Sequence, residues 1–373
     1  MTSFLKAHWH WCAIALTMLA SMALVFSVNG FFDTRIDARI YAAQISSFES
    51  GDVFSGDPHV IMRLFKPLYG IIGGWIFQST HPYGMILGLN IFFYAILAFF
   101  AYRIFKALDF SERESVVGTL WIVTAYPVLK YGLALGTDMS GWALAAVTVA
   151  IGLVAIKKDS NFLLALASVA GFLGAATKET GPLGLGAIGL LVVWTYRKQG
   201  IKILATRLAS VCLPFIILYG VLFATISGSA PTLFDWFNAN TTEYSGKGTY
   251  SVIKLVAVAG STFGLYWLGV VYAIRMMIRE RRMFDHIGYI VGALIATLPI
   301  LMWPLFISRI VFIQFLWVMP LALYGYRVMS GRIQSRYPEK GKIIMIFVAL
   351  VPIVFSAALF LVGARGSLFT LMH

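Results

Sequence analysis

Apolar runs about as long as a bilayer is thick follow one another along almost the whole chain, and no other feature restricts its folding so severely. Crossing the hydrocarbon core takes about 17–25 mostly apolar residues. The sequence offers such runs, or nearly so, at 9–30, 84–105, 115–135, 139–156, 162–177, 183–196, 208–227, 252–274, 286–307, 310–326 and 343–363. The expected fold is an all-α polytopic membrane protein with about 11 transmembrane helices. The two runs flanking Lys178-Glu179-Thr180-Gly181-Pro182 are short and glycine-rich. They form either two spans or a hairpin dipping partway into the membrane, and both readings return the chain to the same side. Composition agrees: 60% of the 373 residues are hydrophobic and only 12% charged, against about 25% charged in a soluble domain. Soluble enzymes, disordered chains and disulfide scaffolds are excluded. Cys12 and Cys212 both lie in apolar runs, so neither a disulfide framework nor a cysteine metal site is expected.

The formal net charge of +13 follows the loops rather than any nucleic-acid patch. With the N-terminus in the cytoplasm, 19 of the 29 Lys and Arg fall on the cytoplasmic side and 29 − 19 = 10 on the outer side. That asymmetry sets the orientation and favours anionic lipid; a nucleic-acid partner is not implied. The first run has the start of a signal peptide but no convincing small-residue cleavage site, so a retained first helix is expected. His8, Trp9, His10 and Trp11 suit an interfacial belt. No repeat is visible, and one transmembrane domain over 1–373 is expected, without a soluble domain.

On this topology the cytoplasmic loops are short and basic, while 31–83 and 228–251 are long outer loops. The first carries Asp33, Arg35, Asp37, Arg39, Glu49, Asp52, Asp57, His59, Arg63 and Lys66, a concentration of charge in a chain otherwise poor in it. Asp33, Asp37 and Tyr41 are spaced i, i+4, i+8, so a helix over 33–48 puts them on one face. Pro67 to Gln78 is apolar but too short to span, which predicts a second juxtamembrane or re-entrant helix. Later outer turns hold Asp138, the pair Lys178-Glu179, and Arg309. Charges beside the hydrocarbon cost on the order of 2.5–3.5 kcal/mol at mid-depth, and for that reason mark functional sites. Arg39, Tyr41, Lys66, Asp138, Lys178, Glu179 and Arg309 are therefore the candidate substrate-binding groups. Asp57-Pro58-His59 with Glu49 or Asp52 offers a weak corner for a divalent metal; no metal ligand set or cofactor is otherwise indicated.

Four fragments, in this order and on this side, resemble the GT-C superfamily of membrane glycosyltransferases. That group includes protein mannosyltransferase-like enzymes and bacterial aminoarabinose and lipopolysaccharide-core transferases. The fragments are "DARIYAAQISSFESGD" at 37–52, "FKPLYGIIGG" at 65–74, "GTDMSGWAL" at 136–144 and "ATKETGPLGL" at 176–185. They cover about the first half of the chain. The resemblance implies a polyprenyl-phosphate-linked sugar donor and a glycan, lipid or protein acceptor. It implies an active site on the extracytoplasmic face of a membrane, in bacteria the inner membrane. It also implies a catalytic base soon after the first span, with Asp37 the better match and Asp33 second. The larger family members carry a C-terminal soluble domain that this sequence does not contain, so acceptor identity is not carried over.

The chemistry suits that reading. Sugar transfer needs a base for the acceptor hydroxyl proton and positive charge against the departing phosphate, roles for the first-loop carboxylate and for Lys178 or Arg309. The alternative from another class is a polytopic transporter or lipid flippase. Such a protein would set polar residues near mid-span at broken helices, whereas Pro214, Pro299, Pro304, Pro320 and Pro352 interrupt spans that lack partnered charges. An acyltransferase would want a membrane-embedded His and a phosphoethanolamine transferase a soluble metal domain; neither is visible.

Overall fold

The computed structural model of the protein describes residues 2–31, 36–53, 58–61, 63–226, 252–281, 283–302 and 307–364, together with 238 and 242. Among these residues there are helices, turns and no strand. In chain order they are α1 (Thr2–Asn29), α2 (Ile36–Ser50), α3 (Leu68–Gly70, running into a π-helical turn Ile71–Ile76) and α4 (Pro82–Ala107). Then come α5 (Glu112–Val123), α6 (Asp138–Lys157), α7 (Asn161–Ala175), α8 (Leu183–Tyr196) and α9 (Ile201–Ile226). The last are α10 (Val252–Phe263), α11 (Tyr266–Glu280), α12 (Ile287–Thr297), α13 (Ser308–Arg336) and α14 (Gly341–Ala364).

Six helices, α1, α4, α6, α9, α13 and α14, are long and apolar enough to cross a membrane; α10 and α11, meeting at a 97° bend, add a seventh if they form one span. The chain is an integral membrane protein of the expected all-α class. The remaining apolar runs form shorter helices for identifiable reasons. The run at 115–135 breaks after Val123, because Pro127 has no N–H to donate to the carbonyl four residues back; a π turn over Val128–Gly132 follows. The helices α7 and α8 have 15 and 14 residues, about 22 Å at 1.5 Å per residue. Lys178 to Pro182 separates them, with Pro182 opening α8. The run at 286–307 yields α12 and then a 3-10 turn, Leu298–Met302, around Pro299.

The first loop is folded onto the bundle. In α2 the apolar residues Ala38, Tyr41, Ala42, Ile45 and Phe48 are all buried, the i, i+3, i+4 spacing of an amphipathic helix. That stripe meets the π turn after α3. A Cβ at Gly74 would lie 2.5 Å from the Ile45 carbonyl oxygen, so only glycine admits the approach of α2. The far side of the π turn shows Trp75, Ile76 and the following Phe77, all more than half exposed. In a membrane protein an apolar surface of that kind faces lipid, as a juxtamembrane helix should. Leu68 N–H donates to the Ala176 carbonyl at 3.0 Å, which ties this loop to the turn between α7 and α8. Of the second long loop, 228–251, only residues 238 and 242 are described.

Candidate active site

At one end of the bundle, segments far apart in sequence converge: α2, residues 63–67, the start of α6, the turn between α7 and α8, and the start of α13. The convergence has local causes. Gln44, on the buried face of α2, donates from Nε2 to the carbonyls of Arg63 and Lys66, each at 3.3 Å, and so fixes the stretch that carries both cations. Tyr41, from the same face, accepts a 2.9 Å hydrogen bond from Thr137 Oγ1 just before α6. On α6, Gly141 leaves room for the Lys178 stem, whose Cβ would sit 2.7 Å from any Cβ at that position.

The charges form two tiers. At the accessible edge the Asp37 carboxylate is held between two arginines, with Arg63 Nη2 2.9 Å from Oδ1 and Arg309 Nη1 2.8 Å from Oδ2. These three side chains are 25, 15 and 26% exposed. Beneath them, Lys66 Nζ lies 2.5 Å from Glu179 Oε2, and Lys178 Nζ lies 3.1 Å from Asp138 Oδ1 and 3.9 Å from Glu179 Oε1. All four inner side chains are at most 7% exposed. Arg309 Nη1, 3.7 Å from Asp138 Oδ2, links the tiers. Four cations and three carboxylates give 4 − 3 = +1. The Arg63 guanidinium also stands over the Tyr41 ring, 5.1 Å from its centre.

Burial disfavours the charged forms of Asp37, Glu179 and Lys178, yet opposite charges win. Burial would raise the Asp37 carboxyl, but Lys178, Arg63 and Arg309 hold it well below the usual carboxylate range. Burial is likewise outweighed at Glu179, where Lys66 and Lys178 lower the carboxyl to about 2. Lys178 is raised above the ordinary ammonium value by Asp138 and Glu179 against the pull of burial. The Tyr41 phenol is lowered because Arg63, Lys66 and Lys178 overcome its burial. Asp37, Glu179 and Lys178 thus keep their charged forms because opposite charges face them. Three polar atoms of this region stay over: Arg309 Nε, Thr180 Oγ1 and Gln44 Oε1 are buried without a hydrogen-bond partner among the described residues.

The sequence candidates Asp37, Tyr41, Lys66, Asp138, Lys178, Glu179 and Arg309 are therefore gathered in one place. Arg39 is exposed on α2, two residues from Asp37, and makes no ion pair with the cluster among the described residues. Asp33 lies outside the described residues, as do Asp57 and the side chain of His59. Among the described residues no three His, Cys, Asp or Glu side chains are grouped to hold a metal. Sequence reasoning counted Arg63 only as one loop charge among ten. Its partner Asp37 is 26 positions away, and no spacing rule links a helix to a turn that far on. Gln44 gave one signal, a polar residue within the apolar stripe of α2.

No protein-family model matches the sequence, and no curated protein matches it. Among solved structures the chain is similar to the crystal structure of the Archaeoglobus fulgidus oligosaccharyltransferase in the apo form, with a TM-score of 0.60 at 12% identity. The alignment covers 96% of this chain and 56% of that one, so the chain spans little more than half the length of that enzyme. The likeness is one of fold. It is GT-C-like, the architecture that the sequence resemblance implied.

Proposed function

We propose that the protein is a membrane glycosyltransferase moving a sugar from a polyprenyl-phosphate-linked donor to an acceptor hydroxyl at the extracytoplasmic surface. The observation that carries this reading is the buried seven-charge cluster with its surplus of one positive charge. A charge cluster in a membrane bundle is expensive and functional by default. A phosphodiester-linked sugar bears one negative charge, which matches the surplus; a pyrophosphate linkage bears two. The name of the structural neighbour, an oligosaccharyltransferase, supports sugar transfer in a membrane.

The two tiers divide the work. Arg63 and Arg309 are the cations the donor phosphate meets first, and the unpartnered Arg309 Nε–H is a spare donor for a phosphate oxygen. Lys178 lies one layer further in and strengthens the field on the departing phosphate. Once the arginines turn to phosphate, Asp37 loses two of the three cations that keep its carboxyl acidic. Burial is then opposed by Lys178 alone, and its proton affinity rises as the acceptor arrives. The acceptor oxygen attacks the anomeric carbon and its proton passes to Asp37. The bond from that carbon to the phosphate oxygen breaks, releasing polyprenyl phosphate. Asp33 is the second candidate for the base.

The test is transfer in nanodiscs with polyprenyl-monophosphate and polyprenyl-pyrophosphate sugars supplied separately. Turnover of the monophosphate class is expected. In Lys178→Ala the donor concentration for half-maximal rate should rise, and Lys178→Arg should keep part of the function. If a panel of sugars on either carrier gives no transfer by folded protein, the reading is wrong, and a lipid or solute flux in the same particles would put transport in its place.

A further inference from the structure

The other end of the bundle holds a cavity of about 610 Å³ between α1, α5, α13 and α14. Along α13 it starts near Tyr326 and reaches Gln334, roughly 37 Å from Arg309 at 1.5 Å per residue. It therefore shares no residue with the candidate active site. Its lining changes character along its length. At one end stand Ser111, Arg113, Ser330, Gln334 and Lys342. Towards the other lie Val117, Leu120, Ile346, Leu350 and Ile353. On α14 the passage from Lys342 to Ile353 is 11 residues, about 16 Å, comparable with an extended acyl chain.

The charges at the polar end are unbalanced. Glu114 also lines the cavity, but Arg327 takes it in a two-pronged pair, Nε to Oε1 and Nη2 to Oε2, each 2.9 Å. Its carboxylate further closes the start of α5 by accepting from Ser111 N–H. Arg113 and Lys342 are exposed and have no ion pair among the described residues. The bundle supplies a control on the opposite flank of α14. There a cavity of about 730 Å³ is lined by Trp121, Phe347, Val351 and similar residues, with no charged side chain at all. Both grooves suit lipid chains, but only one pairs an apolar slot with two free cations.

We propose that this cavity is a binding site for an anionic phospholipid, with its phosphate between Arg113 and Lys342 and one acyl chain lying along α14 towards Ile353. This assignment does not depend on what the active site transfers. The site also has a structural consequence. Few hydrogen bonds tie α14 to the bundle, among them Trp121 Nε1–H to the Ala349 carbonyl at 2.9 Å and Tyr326 O–H to that of Met345 at 3.3 Å. A lipid filling the groove between α14 and α1/α5 would fasten the helix, so binding should raise the unfolding temperature.

The experiment uses the full chain in detergent, titrated with phosphatidylglycerol or phosphatidylcholine. Retained lipid is counted by native mass spectrometry and the unfolding midpoint is followed in parallel. Phosphatidylglycerol should be retained and raise the midpoint; phosphatidylcholine should bind far more weakly. Each basic contact to an anionic headgroup is worth about five-fold in affinity, so Arg113→Gln/Lys342→Gln should weaken phosphatidylglycerol by about 30-fold. Lys158→Gln/Lys202→Gln, which removes two exposed cations outside the cavity, should change little. Leu350→Trp, filling the slot with both cations in place, should abolish retention. If the double variant does not purify, Lys342→Gln alone, with its five-fold loss, carries the test. Equal retention of both lipids, or an equal loss in the control pair, would overturn the proposal in favour of unselective lipid or diffuse surface attraction.

Discussion

The two ends of this bundle carry ion-pair clusters of carboxylates and cations at nearly the same distances, yet they do opposite things. At one end Asp109 Oδ1 is 2.6 Å from Lys157 and Oδ2 is 3.0 Å from His286, while Arg207 lies 2.7 Å from Asp159. Asp109 and Asp159 are each 66% exposed. At the other end Lys66, Glu179, Lys178 and Asp138 pair at 2.5 and 3.1 Å with almost no exposure. Exposed pairs of the first kind contribute about 0–1 kcal/mol. Pairs of the second kind lose their hydration, and well-packed apolar replacements are often as stable or more so. Contact distance is thus a poor guide to purpose; solvent decides. The exposed end needs no explanation beyond solvated loops, whereas the buried end is retained at a cost to stability and so points to chemistry.

The largest effect expected from breaking that contrast is at Asp37. Asp37→Asn keeps size and hydrogen bonding but cannot take up a proton at neutral pH, and losing a general base costs about 10²–10⁴-fold in rate. Transfer from a polyprenyl-phosphate sugar should collapse while the protein still purifies normally. Loss in Asp33→Asn with near-normal turnover in Asp37→Asn would move the base to Asp33; activity in both would exclude a first-loop carboxylate base.

Next comes stability. Lys178→Met leaves Asp138 with only the 3.7 Å contact to Arg309 and takes one of two cations from Glu179, a loss of about 3–5 kcal/mol for a broken buried pair. Lys178→Met/Asp138→Leu, with both charges gone, should recover much of that stability and none of the activity. A double variant as unstable as the single one would make the inner tier a structural element after all.

How far the sequence alone leads can be seen at particular residues. Hydropathy locates the spans α1, α4, α6, α9, α13 and α14 because a long apolar run is its own signal. It does not show that 115–135 divides at Pro127 or that α10 and α11 meet at 97°, since breaks depend on local turns and tertiary packing. The i, i+4 spacing of Asp37 and Tyr41 puts both on the packed face of α2, and the sparse charges Asp138, Lys178, Glu179 and Arg309 beside the apolar runs are brought together as membrane cost suggests. Arg39 escapes such reasoning in the other direction: it sits in the same loop, satisfies the same compositional criterion and ends exposed. Residue type and loop membership do not encode which side of α2 a charge occupies; its apolar stripe does, and Arg39 is off that stripe.

A smaller effect follows from acid. Glu179 has its carboxyl lowered from the ordinary 4.5 to about 2 in the folded protein. A depressed folded value means the stabilisation is complete above about 4.5 and is lost as pH falls from there towards 2. Asp109 is lowered as well, chiefly by its hydrogen bond from Lys157, but solvent screens most of that contribution. Unfolding temperature should therefore decline between pH 4.5 and the lowest workable pH, and Glu179→Gln should flatten the decline. Parallel curves for wild type and Glu179→Gln would show that the acid sensitivity arises elsewhere.

The smallest effect belongs to the exposed end. Lys157→Ala removes a 2.6 Å contact to Asp109, shorter than the Lys178–Asp138 contact at 3.1 Å. By distance alone it should be the costlier change. Both of its partners are open to water, however, with Lys157 43% and Asp109 66% exposed, and His286 still faces the other Asp109 oxygen. Rehydration of both ions offsets the lost attraction, so the unfolding midpoint should move by the equivalent of at most about 1 kcal/mol. The small difference from wild type should shrink further in high salt, because screening reaches exposed charges first. Sugar transfer should be unchanged, as the pair lies at the end away from Asp37. A loss matching that of Lys178→Met would mean that distance, not solvent, ranks these pairs, and the contrast between the two ends would fail.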